Sequence, residues 1–334
     1  MVRQPRLGGL DMEKSTIDHV KKNSKLVPII AVVCIIIGLV IINALVGGKL
    51  LTVENIKVLV ASATPSTLVA WGFCIIFTGN ITDLSPGAVV ILAATVAGIL
   101  GQQFGLPMMI IGGIAAGMGC MLLNFTIYRV TKVPPWIAGL GMTMVYEAII
   151  GYYASACSAK GQKVVTLTGD IRVLGMEPAI YIMLAIGFVV AYILYNHTSF
   201  GIGFRAIGNN EGVARIMGIK VDRTLMLGGL AAGFFFGFAG VIKESYAGFV
   251  NAQSGLASLS TVFQPMAAVL LAMALSNFIN VIIAVPISTF LIMLIFNVLT
   301  LFGVPSGTFQ ETLLGLIVIL FAVLAQRKAK GVVK

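Results

Sequence analysis

Long apolar runs separated by short polar ones dominate the chain. Ten of them approach the ~20 residues that a bilayer-crossing helix needs: 26–45, 58–78, 85–101, 106–127, 135–155, 178–195, 224–242, 262–276, 280–302 and 309–325. The pattern predicts an all-α polytopic membrane protein with about ten transmembrane helices. It divides the chain into an N-terminal tail (1–25), one transmembrane domain (26–325) and a C-terminal tail (326–334). The runs at 85–101 and 262–276 are short. Short runs mark broken helices around a solute site in many transporters, although a misplaced segment end gives the same appearance.

The longest polar interruption after the N-terminal tail is Ser199–Thr224. Within it Asn210 is a good N-cap, Glu211 suits the positive end of a helix dipole, and Arg215 suits the negative end. Gly218 is placed as a left-handed stop. The spacing predicts a helix over Glu211–Met217. So short a helix is unstable alone in water and needs a packing partner; the plain alternative is a solvated loop with one helical turn.

Composition agrees with the membrane reading: 58% of residues are hydrophobic and 10% charged, against about 25% charged in soluble domains. Cys34, Cys74, Cys120 and Cys157 lie in or at the ends of apolar runs without metal or redox spacing, and His19 and His197 build no metal site. No cofactor is implied. The first apolar run is span-length and fits a retained helix, with no cleavable signal peptide visible. Met12 is a second possible start.

Charge sets the orientation. With the N-terminus inside, sixteen of the 22 Lys and Arg fall on inside segments, including Arg129, Lys132, Arg205, Arg215, Lys220 and Arg223. Lys49, Lys57, Lys160, Lys163, Arg172 and Lys243 fall outside. Both termini and Ser199–Thr224 are then cytoplasmic. The net charge of +10 follows from membrane orientation and needs no nucleic acid. The outside loops are Ala159–Glu177, with a small element expected near Val164–Leu167, and Lys243–Ser260. Gly113 and Gly117, then Gly229, Gly233 and Gly237, repeat at the spacing that lets transmembrane backbones approach. Packing within one bundle explains them better than a dimer face.

Several stretches resemble a known family. Phe200-Gly201, Ala206-Ile207-Gly208-Asn209-Asn210, Ala214 and Gly218-Ile219 resemble the cytoplasmic loop of permease subunits of ABC sugar importers, above all the ribose, xylose and galactoside type. Thr82-Asp83-Leu84-Ser85 with Gly87-Ala88-Val89-Val90, Val133 to Gly141, and Gln310 with Gly315 to Leu320 are similar to three further motifs of that family. The resemblance runs from about Leu51 to Ala325. It implies a type II ABC importer-like permease fold in the cell membrane, with no catalytic residues. It also implies three partners: a cytoplasmic ATPase, an extracytoplasmic solute-binding protein and a second permease subunit, identical or different. Gly208, Asn209, Asn210, Glu211, Ala214, Arg215 and Gly218 are then the ATPase-coupling residues, with Gly208, Gly212 and Ala214 expected where backbones meet. Two departures stand out. Ala272–Asn280 replaces a Gly-rich loop, and Gln264 replaces an acid, so the solute class and self-pairing are open.

For the translocation pathway the candidates are Asn80, Asp83, Ser85, Trp136, Glu147 and Gln264, with Thr82, Asn124, Trp71, Phe73 and Tyr146 also available to a sugar. A charge inside a membrane faces protein or water. Asp83 suits helix capping or support of a helix break, with direct sugar contact as the alternative. For Glu147 a pore-lining role and an internal ion pair are both open. Nucleoside and branched-chain amino-acid permeases share this fold type. An ion-coupled transporter would need coupled intramembrane acids, and a membrane enzyme clustered catalytic side chains; neither pattern is present.

Overall fold

The computed structural model describes residues 40–159, 167, 169–276, 278–304 and 307–326. The N-terminal tail, most of the predicted span 26–45, Cys34, Lys160, Lys163 and most of the element near Val164–Leu167 lie outside the described residues. So do Asn277 and the C-terminal tail from residue 327. The described residues form two compact units: those up to Ile56 with Leu301–Gly303, and Lys57–Thr300 with Val304 onward.

Every predicted span from 58–78 onward falls on a helix. In chain order these are α1 (Val53–Thr78), α2 (Pro86–Phe104), α3 (Leu106–Thr131), α4 (Pro135–Ala159), α5 (Ala179–Asn196), α6 (Ser199–Asn209), α7 (Glu211–Ile216), α8 (Val221–Ala247), α9 (Ser260–Leu275), α10 (Val281–Leu301) and α11 (Thr308–Gln326). Two short 3-10 helices, Gly169–Gly175 and Ala257–Leu259, precede α5 and α9. Seven of the described helices are long and apolar enough to cross a membrane. Only helices and closed barrels satisfy every backbone group in lipid, and hydroxyls help where the sequence departs from Ala and Leu. Ser62, Thr64 and Thr67, around the in-helix Pro65, donate to the carbonyls of Leu59, Val60 and Ala63.

The bundle's tightest seam joins α3 to α8. A Cβ placed on Gly233 would lie 2.6 Å from the Gly117 carbonyl, and one on Gly237 2.6 Å from the Gly113 carbonyl. The expected intramolecular use of these glycines is therefore observed: side chains are absent where backbones touch. Trp71 is buried in the core and donates to Ile282 O at 3.1 Å. At the far end of α8, Arg172 donates to the carbonyls of Ser245 and Tyr246, a cation on the negative end of the helix. Lys243 lies in the last turns of α8, so the expected loop Lys243–Ser260 is irregular only from Gly248.

Ser199–Thr224 is richer in structure than expected. The short helix is present as α7: Asn210 accepts from Val213 N at 3.1 Å, and Gly218 stands at φ +82° as the left-handed stop. A second helix, α6, precedes it, started by Thr198 accepting from Gly201 N at 3.1 Å. Gly201, Gly203 and Gly208 lower its intrinsic propensity and hide it in the sequence. Two of them are required by close approach: a Cβ on Gly201 would strike the Tyr195 carbonyl, and one on Gly208 the Thr78 carbonyl at the end of α1.

Candidate functional site

The two spans read as short, 85–101 and 262–276, are of near span length as Pro86–Phe104 and Ala257–Leu275, so their ends were misplaced; what sets them apart is how each begins. Residues 79–85 do not continue α1 but run along α4, packed so closely that a Cβ on Gly139 would strike Asp83 Oδ1. Thr143, one turn further along α4, donates to Gly139 O at 2.9 Å and lies 3.4 Å from Leu84 O. Asp83 Oδ1 accepts from Ser85 N at 2.8 Å, which turns the chain into α2. Asn124 of α3 donates to Ser85 Oγ at 2.6 Å and lies 3.4 Å from Asp83 Oδ2; Tyr146 of α4 donates to Asn124 Oδ1 at 2.8 Å. Asp83, Ser85 and Asn124 are fully buried. Of the two readings of Asp83, the geometry matches support of the helix break: the carboxylate folds the segment between α1 and α2. Direct contact with a solute is not what its burial allows.

Glu147 does neither thing expected of it. It lies 3% exposed, halfway along α4, and pairs with no cation among the described residues. Its two oxygens accept from Leu256 N at 2.8 Å and Ser258 N at 2.9 Å. Twelve residues separate it from Pro135, about 18 Å of helix. The segment between α8 and α9 must therefore dip to mid-bundle, where Leu256 takes a positive φ of 68°. Glu147 satisfies the donors at the turn that starts α9, as an anion does at a helix N-terminus. Beside it, a Cβ on Gly87 would strike the Ser258 carbonyl. The starts of α2 and α9 thus meet inside the bundle, each held by one buried acid.

A cavity of about 320 Å³ opens against this junction. Ser62 and Ser66 of α1, Lys243 of α8, and Thr261 and Gln264 of α9 give it polar walls. Gln264 also borders a second hollow of about 310 Å³ with Gln310 and Glu311 of α11.

The opposite end of the molecule carries α6 and α7. A cleft of about 590 Å³ runs between them and the ends of α1 and α3, lined by Asn80, Arg129, Lys132, Asn209, Arg215 and Asp222 among others. Arg129 pairs with Asp222, and Arg215 with Glu211 at 3.0 Å. Ala214, 1% exposed, packs with Ile207 and Val221. Of the three small residues expected where a partner backbone approaches, Gly208 and Ala214 face their own chain, which corrects the expectation for them, whereas Gly212 is exposed. The face that α7 turns outward is Val213, Ile216 (88% exposed) and Met217 (71% exposed).

The model of the family described as branched-chain amino acid transport system / permease component matches residues 55–323. The chain belongs to this permease family. The permease is 32% identical to the ribose import permease protein RbsC of Bacillus subtilis (strain 168) over 297 residues, 87% of this chain and 90% of that one. It is 26% identical to the galactose/methyl galactoside import permease protein MglC of Haemophilus influenzae, covering 72% and 76%. Its identity to the autoinducer 2 import system permease protein LsrC of Photorhabdus luminescens is 23%, covering 71% and 70%. No solved structure matches the chain.

The permease brings only some of the expected pathway residues together. Asp83 and Ser85 share one network with Asn124 and Tyr146, and Glu147 lies one helical position further along α4. Gln264 alone of the expected pathway residues lines the junction cavity. Asn80 lies in the cleft at the α7 end, and Trp136 is 49% exposed on the outside of the bundle. Trp71 and Phe73 are core residues. Missed were Ser62, Ser66, Lys243 and Thr261. Lys243 carried a signal, a cation beside an apolar run, but assignment to a loop concealed it.

Proposed function

We propose that this permease is the transmembrane pore subunit of an ATP-driven ABC importer that moves a sugar or similar small polar solute into the cell by alternating access. The observation that carries the reading is α7. It is a capped helix standing at one end of a membrane bundle, with Val213, Ile216 and Met217 exposed and none of the described residues covering them. An apolar face of that kind on a polar surface fits a protein partner. The excess of Lys and Arg on this side supports a cytoplasmic placement, where a partner ATPase would seat it in a groove. Closure of the ATPase would then be passed through α6, whose Gly208 rides on the end of α1, to the broken segment 79–85 and the junction. An extracytoplasmic binding protein would deliver solute at the opposite end, and a second permease subunit would complete the pore. The sugar-import names of the relatives favour a sugar over an amino acid.

The test replaces Ile216 and Met217 together with Glu in cells carrying the whole importer. Ribose or galactose uptake is expected to fall to background, and co-purification with the ATPase to be lost, with the thermal stability of the permease unchanged. Normal uptake by the doubly substituted importer overturns the coupling role.

A further inference from the structure

The seam between α3 and α8 ends, at the α7 side of the molecule, in a hollow of about 310 Å³. Thr126, Arg129 and Val130 of α3 and Asp222, Arg223 and Met226 of α8 line it. Asp222, the one acid among these lining residues, is taken by Arg129. Arg223 is then the surplus charge: it is exposed and makes no ion pair among the described residues. Lys220, also exposed and without an ion pair among the described residues, lines an adjoining hollow with Arg223.

The order of residue types along the seam shows what would fit. Counted from the helix ends at 1.5 Å per residue, Arg129 and Arg223 lie about 3 Å inside, and Thr126 and Met226 about 8 Å inside. Leu227 and Leu123 lie about 9–12 Å inside. These two leucines are 41% and 48% exposed, and the antiparallel contacts of Gly117 with Gly233 and Gly113 with Gly237 set them level across the seam. Cations, a hydroxyl and hydrocarbon thus follow one another with depth. The polar zone of a bilayer is roughly 5–8 Å thick on each side. The cations stand at headgroup depth and the leucines at acyl depth. A water-soluble partner could cover the cations but could not reach the leucines.

We infer that this hollow binds one anionic phospholipid, its phosphate at Arg223 and Lys220 and the start of its acyl chains on Leu123 and Leu227. Basic hollows between transmembrane helices take anionic headgroups in this way. Thr126 donates its hydroxyl hydrogen to Leu122 O at 2.7 Å, so its oxygen keeps a lone pair for a headgroup hydroxyl. The inference goes beyond the transport reading and needs only a bundle set in a bilayer.

Native mass spectrometry of the purified full chain in detergent, titrated with phosphatidylglycerol or with phosphatidylcholine of the same acyl chains, reads the first lipid bound. Phosphatidylglycerol is expected to bind several-fold more tightly. Arg223→Gln should cut that preference about fivefold, the size of one cation at a membrane surface, and Arg223→Lys should retain it. Lys132→Gln removes a cation from the same end of the molecule but outside the hollow, and should leave the preference unchanged. Inorganic phosphate in large excess should not displace the lipid, because it lacks the acyl contact. Equal binding of the two lipids, an equal loss in Lys132→Gln, or displacement by phosphate overturns the lipid site. So does an Arg223→Gln chain that keeps its lipid preference but no longer co-purifies with the ATPase from cells carrying the whole importer, which would assign the hollow to a protein partner.

Discussion

The junction and the α7 end treat polar groups in opposite ways. At the junction, Asp83 and Glu147 are buried and accept from backbone N–H groups of their own chain. At the α7 end, Glu211 and Arg215 are exposed and pair with each other across one helical turn. The first arrangement holds a shape: it fixes where α2 and α9 begin inside the bundle. The second leaves a short helix whose apolar residues face outward and whose ion pair is worth about 0.3–0.5 kcal/mol. Removing a junction acid strands buried donors, whereas changing the outer face of α7 strands nothing. Two charged side chains at each end therefore support very different free energies.

The largest effect is expected from Glu147→Ala. Two backbone N–H groups would lose their acceptor, the buried one of Ser258 at about 1–3 kcal/mol and the half-buried one of Leu256 at less. The start of α9 would no longer be held at mid-bundle. The permease should lose several degrees or more of thermal stability in detergent, and much of its yield of monodisperse protein. Glu147→Gln keeps one amide oxygen as an acceptor and should recover part of that loss. An unchanged melting temperature for Glu147→Ala would erase the contrast between the two regions.

Much of this contrast was legible in the sequence, unevenly so. The α7 end was readable because capping is local: Asn210, Glu211 and Gly218 fix a start and a stop within nine residues, and all behave as their chemistry dictates. The glycine seam between α3 and α8 was readable for the same reason, as spacing along a helix. Asp83 and Glu147 were recognisable as unusual, but their partners were not. The donors at Leu256 and Ser258 lie more than a hundred residues from Glu147, and any residue type supplies a backbone N–H. Ala214 was assigned to the right element but the wrong face, because a six-residue helix has too few positions for periodicity to tell inside from outside.

Ala214→Glu sharpens that last point. The carboxylate would enter the contact with Ile207 and Val221 without a partner, and burying an unpaired charge is strongly unfavourable. The α6–α7 pair should open while the membrane helices stay packed. Limited trypsin digestion at Arg215 and Lys220 measures this directly: cleavage should accelerate sharply in Ala214→Glu and remain at the native rate in the Ile216 and Met217 double substitution. Equal cleavage in both would mean that Ala214 is no more enclosed than its neighbours.

The smallest effect is expected from Asn210→Ala. The Asn210 side chain accepts from Val213 N at the open end of α7. Its loss should cost about 1 kcal/mol, typical of an N-cap. That energy is small against the whole bundle, so global melting should stay where it is. It is large against α7, a helix of six residues that cannot persist on propensity alone. The Val213 amide should exchange its hydrogen several-fold faster, about the factor that 1 kcal/mol implies, with Ala232 and Val241 amides on α8 unaffected. Asn210→Asp restores a carboxyl oxygen to the same N–H and adds a charge that the helix dipole favours, so it should slow exchange again. If Asn210→Ala instead lowered the melting temperature of the bundle, α7 would be tied to the core as firmly as the junction is, and the two ends would not differ in the way their hydrogen bonds indicate.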